Sequence, residues 1–401
     1  MEEMPMSDAA KFDDTPDFSL VLGGPLYQLF LRLRMARPPL DLLTRRMIII
    51  PLIAWLPLLL MSALGGQVVD GGIRVPFLSD VGIHVRFLLA LPLLIAAEVI
   101  VHRNMRPILG QLLHRGIVPQ DAWPRLHACV ESAMRLRNSI RAEVLLIAFV
   151  YTAGHQVWKQ QLVLHTATWY ATVVDGVLQL SPAGYWYTFV SIPIYQFIFL
   201  RWYFRLFIWF RFLWQVSRLD LRLIPTHPDR AGGLGILGNT AFMFAPILSA
   251  QGAVLSGVMA GRIFFAGQSL QDFTWEIVGL VVILVVLVHM PLMVFTPHLL
   301  RAKREGRREY GALASRYVSE FDQKWIRGDP PEGEPLVGSA DIQSLADLAN
   351  SFEVVNRMQP VPFGKETIIL LVVATALPIL PLMLTIFPLD ELIKRLLGIL
   401  L

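Results

Sequence analysis

Residues 225–235 read Pro-Thr-His-Pro-Asp-Arg-Ala-Gly-Gly-Leu-Gly and stand directly before a long apolar stretch. One turn thus gathers a titratable ring, a carboxylate, a guanidinium and several glycines. Pro225 and Pro228 end any preceding helix and stiffen the turn. Gly232, Gly233, Gly235 and Gly238 let the backbone approach another group closely. Free amides at a helix N-terminus, together with the helix dipole, favour an anion. Arg230 could clamp the same anion through paired N–H donors, and His227 could exchange a proton there. His227, Asp229, Arg230, Gly232, Gly233, Gly235 and Asn239 are therefore candidates for an anion or substrate entrance. The alternative is structural: Asp229 caps the next helix or pairs with an arginine, and the glycines only permit tight packing.

A second group of candidates lies inside the apolar stretches, where an ionisable side chain is costly. Glu98 has His102 one helical turn after it, and Arg201 and Arg205 share a helix face in the same way. Glu143 and His155 bracket one apolar run, and His289 lies within another. Proton relays and ion sites use such groups. The competing explanations are pairing with an interface arginine for Glu98, and snorkelling to water for Arg201 and Arg205.

Enzyme signatures are weak. "GLGILG", 233–238, has the G-x-G-x-x-G spacing, but a dinucleotide site needs a preceding strand and a βαβ unit, and here an apolar helix follows. The chain carries no HExxH helix, P-loop or GxSxG elbow. His227, Asp229 and Glu98 have metal-ligand chemistry, but their spacing specifies no metal site, and no cofactor is expected. The single cysteine, Cys129, excludes an internal disulfide and reads as a packing residue.

Composition sets the class. Of 401 residues, 55% are hydrophobic and 16% charged, and the mean hydropathy is +0.54; soluble domains carry about 25% charged residues. The sequence predicts an all-α integral membrane protein. A spanning helix needs about 20 mostly apolar residues, which gives about seven spans at 47–64, 85–101, 142–158, 185–203, 234–259, 277–295 and 367–387. Prolines 378, 381 and 388 leave six or eight open, through a re-entrant pair or an interfacial C-terminal helix.

Lys and Arg alternate between the connecting segments as the positive-inside rule requires. Arg32, Arg34, Arg37, Arg45 and Arg46 precede the first span, while 65–84 carries only Arg74. Seven arginines from Arg103 to Arg141 follow the second span, and "RAKREGRREY", 301–310, follows the sixth. This places the N-terminus in the cytoplasm, the C-terminus in the periplasm, and the protein in a bacterial-type inner membrane.

The chain then divides into four parts. Residues 1–46 form a cytoplasmic N-terminal segment, with no secretory signal in its acidic start. Residues 47–300 form the membrane bundle, with helical extensions near 103–141 and 204–232. Residues 301–366 form a cytoplasmic helical segment, and 367–401 hold the last span and an amphipathic terminus. Residues 123–158 read as one long helix, as does the stretch from 193 towards Pro225, and 339–355 reads as an amphipathic helix capped by Ser339 or Asp341. "DPPEGEP", 329–335, is a linker. Outside the membrane, Asp175-Gly176 between β-formers predicts a short hairpin.

These features lead to an expectation of transport, by a channel or small-solute permease, with an anion favoured. The small residues of 234–259 and "GVMAG", 257–261, would either line the path or allow close helix contact. The rivals are a membrane-embedded enzyme acting on a lipid or phosphorylated substrate, and a non-catalytic scaffold. Expected partners are the lipid bilayer, a small ion or solute and a second copy in a homo-oligomer. Nucleic acid is not expected, because no basic recognition module is present.

Overall fold

The computed structural model describes residues 18–35, 42–69, 72–154, 156, 168–174, 177–328 and 339–386. His155, the 175–176 turn, the linker at 329–335 and the C-terminal segment from 387 onward lie outside the described residues.

Helix α1 (Pro25–Arg32) starts with proline, whose missing N–H costs nothing at a first turn. Helix α2 (Leu43–Leu64) is followed by α3 (Val81–His114), α4 (Trp123–Arg137) and α5 (Ile140–Phe149). Strands β1 (Ala171–Val174) and β2 (Val177–Leu180) pair antiparallel, with Ala171 opposite Leu180. Then come α6 (Ile192–Val216), α7 (Gly235–Ala266), α8 (Leu270–Arg327), α9 (Ala340–Asn356) and α10 (Lys365–Thr385).

Among the described residues, α2, α3, α7, α8 and α10 are long and apolar enough to cross a membrane. The chain is thus an all-α, multi-pass type of molecule with very little sheet. Large apolar side chains such as Leu60, Ile283 and Ile369 stay exposed on the outer faces of α2, α8 and α10, the surface that hydrocarbon covers in a bilayer. The stretch expected to span at 185–203 is helical and continues through α6, but it is rich in Tyr and Trp.

Two helices expected to be continuous are not. The 123–158 stretch breaks at Asn138–Ser139, where Ser139 caps α5 by accepting from Ala142 N at 3.3 Å and Asn138 accepts from Gly24 N at 3.0 Å. The helix after Pro193 stops at Val216 rather than projecting to Pro225. Ser217 Oγ closes its end on Trp214 O at 2.8 Å, and Arg222 N donates to Ile117 O at 2.8 Å, tying 218–224 to the turn after α3. In each case a polar partner distant in sequence outcompetes the next helical turn.

The small residues of α7 are filled by neighbouring backbone. A Cβ at Gly252 would lie 1.9 Å from Thr375 O on α10, and one at Gly257 would lie 2.9 Å from Gly82 Cα on α3. Gly261, the other end of the small pair, meets open space. Helix α7 is therefore the close-packed partner of both α3 and α10.

The two ends of the bundle differ. At one, Trp169 Nε1 donates to Asp80 Oδ2 at 3.0 Å and holds the segment before β1 to the start of α3. At the other, α9 packs along the far half of α8 as a helical layer, and α4 packs against α6. Ser339 caps α9, and Asp341 ties it to α8 through Lys324 Nζ and Trp325 Nε1, both at 2.9 Å.

Candidate functional site

The 225–239 segment folds around one carboxylate. Asp229 Oδ1 accepts from Ala231 N at 2.8 Å and Gly233 N at 3.1 Å, and Oδ2 accepts from Gly235 N at 2.9 Å. His227 Nδ1 lies 2.8 Å from Asp229 Oδ1. Burial alone would raise the Asp229 pKa, but the three backbone donors and His227 outweigh it and hold the carboxyl below its usual range. The amides that mark this turn as an anion cradle are thus occupied by the chain's own carboxylate. The loop needs Gly232 and Gly233 at positive φ, 63° and 98°. Arg230 is exposed, itself at φ 54°, and its carbonyl accepts from Gln359 N at 2.7 Å. Asp229, Gly235 and Asn239 line a cavity of about 480 Å³ with Arg115, Gln359 and Glu366. The structure does not bring His227 or Arg230 into that lining.

The ionisable candidates from the apolar stretches converge much more closely. Glu98, on α3, accepts from Arg205 Nη2 at 2.8 Å and from Arg46 Nη1, and Arg201 Nη1 lies 3.8 Å away. Arg201 Nη2 stands 3.3 Å from Glu143 Oε1 on α5, while Glu143 Oε2 accepts from Leu26 N at 2.9 Å. All five side chains are buried. The i, i+4 spacing puts both α6 arginines on one face toward α3, and Arg205 also lies over the Trp202 ring at 4.6 Å. Glu98 is 17 residues into the 34-residue α3, roughly 25 Å from its start at 1.5 Å per residue, and so sits about midway along it.

The described N-terminal segment covers this cluster. Ser19 Oγ is 2.9 Å from His102 Nδ1, and Ser19 O accepts from Arg137 Nη1 at 2.6 Å. Phe18 stacks on Phe212 at 4.5 Å, and Gly23 O lies 3.4 Å from Arg201 Nη2. Burial first, and then the Arg205 charge, push Arg137 down to about 10.

His289 stands apart from both groups. Its Nδ1 meets Val285 O at 2.8 Å, its Nε2 is 3.4 Å from Thr367 Oγ1, and its ring packs on Phe363 at 4.4 Å, joining α8 to α10. Among the described residues, no group of three or more His, Cys, Asp or Glu is placed to hold a metal ion.

Sequence reasoning missed Arg46 and Arg137, which it read only as juxtamembrane charge. The available signal was the Arg201/Arg205 pair: two cations on one face of an apolar helix need a buried acid opposite, and Glu98 is the acid at matching depth. Nothing in the sequence says that Arg46 reaches the same acid from α2. No family model, curated protein or solved structure matches the chain.

Proposed function

We propose that this protein is a membrane transport protein, a channel or permease for a small anion, whose selective element is the Arg46–Glu98–Arg201–Arg205 cluster. The observation that carries this reading is the burial of three guanidinium groups around one carboxylate between apolar helices. Such groups are too costly to keep in a bundle for packing alone, and rings of arginine favour anions in pores. The covering segment from Phe18 to Gly24 makes the described arrangement a closed one. Movement of that segment opens the cluster to the side that holds the helical layer.

The finer topology belongs to the same proposal: seven spans, including 142–158 and 185–203, in a bacterial-type inner membrane. The arginine-rich layer lies in the cytoplasm, as the Lys and Arg asymmetry favours. The 225–239 loop, locked on Asp229, positions the start of α7, and a homo-oligomer is the proposed assembly. The test is anion flux through the purified full-length protein in liposomes, with wild type compared with Arg205→Gln. Flux that the substitution suppresses supports the reading; no flux from the wild type or from a form lacking residues 1–24 rejects it.

A further inference from the structure

Arg46 is 1% exposed, yet only its Nη1 is hydrogen-bonded, to Glu98. Its Nε and Nη2 have no hydrogen-bond partner among the described residues. Arg46 lines a small cavity of about 10 Å³ together with Glu98, Arg201 and Arg205, with apolar walls that include Ile95 and Ile198. The volume is of the order that one water-sized species needs.

Three facts constrain what fits. Guanidinium groups only donate, so the occupant must accept. Three guanidinium groups face two carboxylates, Glu98 and Glu143, so the cluster carries an unbalanced positive charge. In a low-dielectric interior that imbalance is the costliest feature of the site. The cavity is also too small for phosphate, sulfate or a carboxylate. A water molecule would satisfy the two donors and leave the charge unbalanced.

We propose that the cavity beside Arg46 binds one bare, monovalent, halide-sized anion, chloride being the usual member of that class. Arg46 supplies two hydrogen bonds from Nε and Nη2, while Arg201 and Arg205 supply charge at close range. Ile95 and Ile198 keep water away and strengthen both effects. A chloride ion has about twice the volume of a water molecule, so the lining side chains move outward to admit it, and a hydrated or polyatomic anion needs more room still. The proposal rests on the transport reading for its choice of site and adds the identity of the ligand.

The test uses full-length protein in nanodiscs, at constant ionic strength, titrated with sodium chloride against sodium gluconate. Chloride is expected to raise thermal stability saturably and gluconate is not. At chloride tenfold above its dissociation constant, the apparent unfolding constant falls about 11-fold. Ile198→Phe, which fills the cavity and keeps every arginine, is expected to lose that response. A structure of the wild type in bromide keeps the test decisive if the variant does not fold: the anomalous signal is expected beside Arg46 Nε and Nη2. Bromide signal only elsewhere, or equal stabilisation by gluconate and chloride, overturns the proposal. Binding without flux in liposomes leaves the halide site standing and removes transport. Flux without a halide at Arg46 does the reverse.

Discussion

Arg205 Nη2 and Glu98 Oε1 meet at 2.8 Å across the interface between α6 and α3, both buried, and Arg46 takes the other oxygen of the same carboxylate. One acid therefore anchors cations from two different helices. Glu98→Gln keeps the shape and removes the charge that all three arginines face. The expected loss is about 3–5 kcal/mol, the usual consequence of breaking a buried pair from one side. Chemical or thermal unfolding in a mild detergent measures it. A loss below about 1 kcal/mol would mean that the arginines find other partners.

The 225–239 loop makes a separate prediction. Asp229→Ala leaves the N–H groups of Ala231, Gly233 and Gly235 without their acceptor and is expected to cost about 1–3 kcal/mol. Because the folded pKa of Asp229 is depressed, its contribution is complete above the unfolded value of about 3.9. It is lost as the pH falls through the folded pKa. Wild type should therefore lose stability over that acidic range more steeply than Asp229→Asn. Parallel acid unfolding curves for the two proteins would reject this role.

Close packing of α7 separates two glycines that look alike in sequence. Gly252→Ala would drive a Cβ to 1.9 Å from Thr375 O, and forcing the helices apart is expected to cost about 1–3 kcal/mol. Gly261→Ala meets open space and is expected to be neutral or slightly stabilising. Equal effects, read from thermal unfolding of the two variants, would contradict the packing of α7 on α10.

Composition and apolar runs were enough to specify an all-α membrane protein, because hydrocarbon demands long apolar helices whatever their packing. The breaks at Asn138–Ser139 and Val216 were not legible, since Gly24 and Ile117 supply the competing hydrogen bonds from distant parts of the chain. Glu98, Arg201 and Arg205 could be singled out by their cost in an apolar setting. Arg46 could not, because a cation at a span's edge looks the same whether it faces water or a buried carboxylate. The 225–235 turn was legible as a place of special geometry. Whether its amides held an outside anion or Asp229 depended on backbone dihedrals that spacing alone does not fix.

The covering N-terminal segment offers a functional prediction. Ser19 joins His102 and Arg137 over the cluster. Removing residues 1–24 is expected to raise anion flux severalfold over the full-length protein while leaving the helical content unchanged. Stopped-flow flux with circular dichroism on the same samples checks both halves. Unchanged flux with unchanged helicity would mean that this segment does not close the path.

The most direct measurement is chloride flux into liposomes holding purified full-length protein, with a potassium gradient and valinomycin setting the potential. Wild type is compared with Arg46→Gln over a range of pH. Saturable chloride flux in the wild type, lost in Arg46→Gln with the fold intact, is the expected result. Flux no greater than in empty liposomes, for both the full-length protein and the form lacking residues 1–24, would contradict the account.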